Sequence, residues 1–251
     1  MSGATPTNFG GGGAVAERIS KRFGTERALT ALRGISLRAE PGHCTAVLGS
    51  SGAGKSVLLR CLAGLERPTE GAVRVGGTDL GRLGEVELTE FRRDRIGVVY
   101  QHGNLLPELT AEDNLLLPFD ISGRRPDRSR LDRVLDALEV RELLERRPHQ
   151  LAGPEQQRVA LARVLVQRAD VLLADEPTGA LDAVTARHML RVLRRCTDEF
   201  GQTVVLFSAH PRSAAYADRI VTLDDGRVTK EWEPAAGCRC AQAEGATEHI
   251  A

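Results

Sequence analysis

The residues Gly49-Ser50-Ser51-Gly52-Ala53-Gly54-Lys55-Ser56 follow the pattern G-x-x-x-x-G-K-[ST]. A strand-like run, Cys44 to Leu48, precedes them and a helical pattern follows. That is the setting in which glycines let backbone N–H groups curl around phosphate oxygens and the helix start adds its positive end. Lys55 then reaches the outer phosphates and the Ser56 hydroxyl can ligate Mg²⁺. A second pair of residues fits the same chemistry. Val171-Leu172-Leu173-Ala174 is an apolar strand pattern ending in Asp175 and Glu176. A carboxylate at the carboxyl end of a strand can hold Mg²⁺ beside such a loop, and the next can polarise water toward a terminal phosphate. The loop alone leaves ATPases, GTPases and small-molecule kinases open.

The elements that must carry these groups are readable from pattern. Strands are expected at 45–48, 72–75, 96–100, 171–175, 203–207, 220–223 and 227–230, and helices at 55–64, 86–93, 130–140, 155–167 and 183–200. Strands alternating with helices predict an α/β fold with a P-loop core. The stretch from about 110 to 168 has almost no strand-like run and reads as a helical insert. In 130–140, Leu131, Val134, Leu135 and Leu138 fall on one helical face. Residues 1–14 read as a flexible leader, 15–233 as the folded domain and 234–251 as a flexible tail.

Composition narrows the partners. The 251 residues carry 34 Lys plus Arg and 34 Asp plus Glu, a net charge of +0, with 4% aromatics. A nucleic-acid binder usually shows a basic excess or a stacking platform, so nucleic acid is not expected as a partner. No apolar run approaches the length of a bilayer span and no secretory signal is seen. The reading is a cytoplasmic protein that can dock on a membrane protein. The five cysteines are odd in number and scattered, which does not read as a disulfide framework. Cys238 and Cys240 form a lone C-x-C without a second pair of ligands.

In order along the chain, these residues resemble the ATP-binding subunit of an ABC transporter, over roughly residues 15–232. Gly49–Ser56 is similar to Walker A, Gln101 to the Q-loop, Leu151-Ala152-Gly153-Pro154-Glu155 to the signature loop, Leu172–Glu176 to Walker B, and Gly179-Ala180-Leu181-Asp182 to the D-loop. The stretches Ile96–Gln101, Asn104–Pro107, Leu109–Asn114 and Ala174–Asp182 resemble the macrolide-export and lipoprotein-release type. The resemblance implies a mixed-sheet core with an inserted helical subdomain. It implies two subunits paired head to tail, as a homo- or heterodimer, around ATP and Mg²⁺. It also implies transmembrane permease partners that place the protein on the inner face of the membrane, with residues 101–118 touching the permease through Leu105, Leu106, Leu109 and Leu115.

By that resemblance the cofactor-binding residues are Phe23 (in place of an adenine-stacking tyrosine), Gly49, Ser50, Ser51, Gly52, Ala53, Gly54, Lys55, Ser56, Val57, Ala152, Gly153 and Glu155. Ser56, Gln101 and Asp175 would hold Mg²⁺, and Glu176, Gln101 and His210 would be catalytic. Several positions depart from the family pattern. The signature loop expects Leu-Ser-Gly-Gly-Gln/Glu, so Ala152 lacks the hydroxyl and Pro154 lacks the N–H that would meet a partner's terminal phosphate. Val57 replaces a second loop hydroxyl. A gapless match puts Ala209 in the switch-histidine slot, and only a local bulge would bring His210 back to it. Two expectations follow: an ATPase that drives a permease, or a weakened nucleotide-binding subunit that regulates or pairs with an intact one. A soluble relative working on ribosomes or DNA is disfavoured by the single short cassette and zero net charge.

Overall fold

The computed structural model describes residues 12–24, 29–101, 103–179 and 181–234. Most of the proposed leader, the tail with Cys238 and Cys240, and Ala180 of the D-loop stretch lie outside the described residues.

The strands are β1 (Ala14–Phe23), β2 (Leu29–Ala39), β3 (Cys44–Leu48), β4 (Glu70–Val75), β5 (Thr78–Asp79), β6 (Ile96–Tyr100), β7 (Val171–Asp175), β8 (Val204–Ser208), β9 (Arg219–Asp224) and β10 (Arg227–Trp232). The helices are α1 (Lys55–Leu62), α2 (Glu85–Arg95), α3 (Ala111–Ser122), α4 (Arg128–Ala137), α5 (Gly153–Gln167) and α6 (Ala183–Phe200). Among the described residues they build a four-stranded antiparallel sheet, β2-β1-β4-β5, and a six-stranded mixed sheet, β10-β9-β3-β8-β7-β6. In the mixed sheet β9, β3, β8, β7 and β6 run parallel and only β10 is antiparallel. The α/β class with a mixed sheet is thus as expected from sequence.

The central strands are apolar throughout because both faces are covered. Alternation divides them between two cores. Leu172, Ala174, Val204 and Leu206 face a core completed by α3 to α6. Val171, Leu173, Val205 and Phe207 face a core completed by α1 and the antiparallel sheet. Gly97 on β6 lets α5 lie close, since a Cβ there would sit 2.2 Å from a methyl of Val164. Arg194 on α6 pairs with Asp218 at 2.7 Å, and the same carboxylate oxygen accepts the Cys44 N–H at 2.9 Å, fixing the start of β3.

Several boundaries differ from expectation for local reasons. β1 begins at Ala14, inside the stretch read as leader, because its backbone pairs with both Ala39 and Val75. β1 and β2 carry no strand signal in sequence: register shifts interrupt β1 between Ala16 and Arg22, and Gly34 at φ +67 interrupts the alternation of β2. Helix α3 contains Pro118, which reads as a breaker, yet Thr110 caps it by accepting the Asp113 N–H. Helix α4 starts at Arg128, one residue beyond its cap Asp127, and ends before Glu139, whose φ is +54. Between 110 and 168 the described elements are all helical, as expected. None of the described helices is long and apolar enough to cross a membrane.

Candidate functional site

Because β3, β6, β7 and β8 are parallel, their carboxyl ends open on one edge of the sheet. In parallel α/β sheets that edge is where ligands bind. The four strands deliver the loop 49–56, Gln101, Asp175 with Glu176, and Ala209 respectively. Unshifted pairing aligns them: Tyr100 opposes Asp175, Asp175 opposes Phe207, and Phe207 opposes Val47.

The loop turns through Gly52 and Gly54, at φ +85 and +103. A Cβ at Gly54 would lie 2.8 Å from the Ala31 carbonyl, so only glycine fits both the conformation and the space. The Ala53 carbonyl accepts the Gly226 N–H at 3.0 Å, and the Gly226 carbonyl accepts the Arg33 N–H at 2.8 Å. The loop is thereby tied to the β9–β10 turn and to β2. Ser50, Ser51, Gly52 and Ser56 are exposed, whereas Ala53 is buried. Lys55 is 7% exposed. Its ammonium donates to the carbonyls of Gly49 (2.7 Å) and Ser50 (3.0 Å) and lies 3.2 Å from Glu176. Val57 packs on the core below the loop.

Glu176 takes φ +46, a left-handed conformation that a non-glycine residue holds only at a cost of about 1–3 kcal/mol. Its surroundings fix it there. Its N–H donates to Phe207 O, its carbonyl accepts from Gly179, and its carboxylate accepts the Ala209 N–H, each at 3.0 Å. Asp175 is half-buried, and its Oδ1 has no hydrogen-bond partner among the described residues. Burial first, and the neighbouring Glu176 second, push its carboxyl above the usual range. A shielded carboxylate oxygen with nothing to bind suits a divalent cation, and the exposed Ser56 hydroxyl adds a second hard oxygen donor. The amide of Gln101 lies against Gly179, whose Cβ would be 3.3 Å from Gln101 Nε2.

The other expected residues stand apart. The turn 151–155 opens α5, and Ala152 is its N-cap without a side-chain acceptor. The Ala152 N–H donates to Glu155 at 2.8 Å, and Arg146 approaches Glu155 at 4.0 Å. Gln156 donates to Pro148 and Leu151. These bonds stay within the helical part of the chain, and Ala152 and Gly153 are exposed. Phe23 is half-buried with Lys21 over its ring, 5.0 Å from the centroid, so one ring face is already taken by a cation.

The bulge that would return His210 to the site is not found. β8 pairs with β3 and β7 without a register shift, and it is the Ala209 N–H that reaches Glu176. His210 instead lines a cavity of about 640 Å³ with Thr178, Leu181, Arg187 and Arg212. The Ala209 contribution is invisible in the sequence, since a backbone N–H has no residue type. So is that of Gln157, which donates to the carbonyls of Gln101 and Pro177. Among the described residues Cys44, Cys61 and Cys196 are buried free thiols, pushed up by burial to about 12, 11 and 12. No metal-binding cluster of His, Cys, Asp and Glu is found among the described residues.

A family model described as ABC transporter matches residues 32–179. The chain is 40% identical over 212 residues to an uncharacterized ABC transporter ATP-binding protein of Methanocaldococcus jannaschii, covering 82% of this chain and 90% of that protein. It is 42% identical over 215 residues to the lipoprotein-releasing system ATP-binding protein LolD of Rhodospirillum rubrum, covering 84% and 95%. It is 41% identical over 207 residues to the macrolide export ATP-binding/permease protein MacB of Rhodopirellula baltica, covering 81% of this chain but only 30% of that protein. Among solved structures, a dimeric post-hydrolysis state of the ATP-binding cassette MJ0796 bound to ADP and Pi superposes with a TM-score of 0.78 at 35% identity. That match covers 88% of this chain and 98% of the other.

Proposed function

The chain belongs to the ABC transporter family, and from that premise we propose that it is the ATP-binding subunit of a membrane transporter, pairing with a second such subunit around Mg-ATP. It converts ATP and water to ADP and phosphate and so drives permease subunits in export or mechanical coupling. The observation that carries this reading is the meeting of Lys55 and Glu176, 3.2 Å apart, beyond the carboxyl ends of β3 and β7.

The steps assigned to this chain's own groups are few. The phosphates take Lys55 from the Gly49 and Ser50 carbonyls and from Glu176. Loop N–H groups and the start of α1 then hold the β- and γ-phosphates. Asp175, Ser56 and Gln101 would hold Mg²⁺, which when bound neutralises charge on the phosphates. Glu176, released from Lys55 but still held by the Ala209 N–H, orients and polarises water. Gly153 and Glu155 of the partner subunit's equivalent turn would meet the same phosphate from across the dimer. In this reading the domain runs from 15 to 233 with its helical subdomain at about 110–168.

The permease would dock on the stretch 101–118, which runs from the end of β6 into α3. Leu115 is buried, Leu105 and Leu109 are half-buried, and Leu106 is 45% exposed, so Leu106 is the apolar contact that the loop offers. Asn114 stiffens it: the side chain accepts the Leu106 N–H and donates to the carbonyls of Leu106 and Thr110. Docking there places the protein peripherally on the cytoplasmic face of the membrane.

A second reading, a slow subunit that regulates or pairs with an intact partner, is favoured by one group of residues. Ala152 brings no hydroxyl, Pro154 no N–H, and Ala209 no imidazole. One experiment addresses both. Steady-state ATPase activity is measured for the chain alone and with its co-expressed permease. Glu176→Gln should lower turnover about a hundredfold or more while Mg-ATP still binds. A wild-type chain that fails to bind Mg-ATP removes the first reading. A chain that binds but turns over only beside a second, different subunit selects the second.

A further inference from the structure

Gln157 lies in the second turn of α5 and is 1% exposed. Its Nε2 donates to two backbone carbonyls, that of Gln101 at 2.7 Å and that of Pro177 at 2.9 Å. Two facing carbonyls require the amide nitrogen on that side, because the opposite orientation would set acceptor against acceptor. Its Oε1 is then buried with no partner among the described residues. Leaving such an acceptor unpaired is costly. An apolar side chain of similar length would fill the space without that cost, so filling space does not account for an amide here.

What the amide holds is informative. One carbonyl belongs to Gln101, whose side chain lies against Gly179. The other belongs to the residue directly after Glu176. Pro177 has no N–H, so this stretch has one tie fewer of its own. Glu176 sits at φ +46 and keeps that conformation only while its surroundings impose it. One of those restraints, the contact with Lys55 at 3.2 Å, is the one that nucleotide phosphates would remove. The Gln157 bonds go to the carbonyls of Gln101 and Pro177 and do not involve Lys55.

We propose that Gln157 is a positioning residue. Its two donated bonds hold the Gln101 loop and the Glu176 turn in one register on α5, so Glu176 keeps its aim once Lys55 has turned to the nucleotide. This deepens the proposed ATPase reading and rests on it. Gln157 touches neither nucleotide nor water. It acts through Glu176 and Gln101, and it ties both to the helix whose first turn, at 152–155, would face the partner's phosphate.

The test uses the full chain with Gln157→Met, of similar length but without donors, and Gln157→Glu, of the same shape but with a carboxylate facing the two carbonyls. Melting temperature, Mg-ATP affinity by calorimetry, the Mg²⁺ concentration that half-saturates ATP binding, and single-turnover hydrolysis with protein in excess are measured. Gln157→Met should melt within a few degrees of wild type and bind Mg-ATP within about twofold. Its single-turnover rate should fall about tenfold or more, and its half-saturating Mg²⁺ should rise severalfold. Gln157→Glu should lose at least as much rate. A Met variant whose rate and Mg²⁺ requirement both match wild type overturns the proposal. So does one whose rate falls only in step with its melting temperature and affinity. If wild type binds Mg-ATP but hydrolyses none, the Mg²⁺ requirement alone decides: a rise supports the proposal and no change overturns it. A wild-type chain that does not bind Mg-ATP removes the ATPase reading itself, which the calorimetry on wild type reports separately.

Discussion

The loop at 49–56 and the turn at 151–155 both lead into a helix, and both would face phosphate, but they bring different groups to it. The first has a lysine held by two carbonyls and a carboxylate, glycines in conformations that other residues avoid, and ties to β2 and to the β9–β10 turn. The second has an alanine cap, a proline without an N–H, and, among the described residues, side-chain bonds that stay within 146–156. A helix start binds anions through its free N–H groups and any capping side chain. By that measure the loop offers a lysine and free N–H groups, and the turn offers neither a hydroxyl at Ala152 nor an N–H at Pro154. Under the proposed function, binding phosphate within one chain and closing on a partner's phosphate would rest on separate elements.

The largest effect is expected at the better-furnished end. Lys55→Ala should weaken Mg-ATP binding about a hundredfold or more, since hydrogen bonds to charged groups contribute about 1.5–3 kcal/mol each and this ammonium makes several. Calorimetry on the purified chain measures it. An affinity within threefold of wild type would remove the phosphate site from this loop. At the poorer end, Ala152→Ser with Pro154→Gly returns both donors. Turnover should rise about tenfold, more than with either change alone, because a donor aimed at developing charge has a large effect and both act on one phosphate. If the double variant is no faster while Glu176→Gln still silences it, the turn works as it stands and the contrast between the two regions is one of composition only.

The smallest effect concerns the footing of the loop. Burial pushes the Asp218 carboxyl up, but the Cys44 N–H and the Arg194 guanidinium together outweigh it and hold the carboxyl below the usual carboxylate range. A group depressed on folding stabilises the fold above its unfolded value, and that contribution is lost as pH falls toward the folded value. Asp218→Asn should therefore lower stability by roughly 1–2 kcal/mol at pH 7 and make the melting temperature less sensitive to acid between about pH 5 and 3. Thermal melts across that range test it. Nucleotide affinity should fall only slightly, because β3 is anchored by pairing on both sides as well.

Much of the first region was legible because its chemistry is written in residue types at fixed spacing. Glycines, Lys55 and Ser56 in a row, and Asp175 with Glu176 after four apolar residues, need no tertiary context. The parallel strands were legible for the same reason, since burial on both faces leaves continuous apolar runs. β1 and β2 were not, because register shifts and Gly34 erase the alternation that marks a strand. Helix α3 hid behind Pro118, and the rest of the site hid in the backbone. The Ala209 N–H reaches the Glu176 carboxylate from the slot where a switch histidine was sought, and His210 lines another cavity, with no register shift in β8 to return it. Gln157 looked like one more polar residue on a helix until the carbonyls of Gln101 and Pro177 were seen in front of it.

The tie from Ala53 through Gly226 to Arg33 makes the phosphate loop a hinge pin between the two sheets. A ligand seated there would grip both at once, and would bind only a chain in which both are already docked. Nucleotide would then act on the assembly of the fold itself. At millimolar ATP the unfolded population shrinks in proportion to site occupancy. A chain without nucleotide would then be the less stable form.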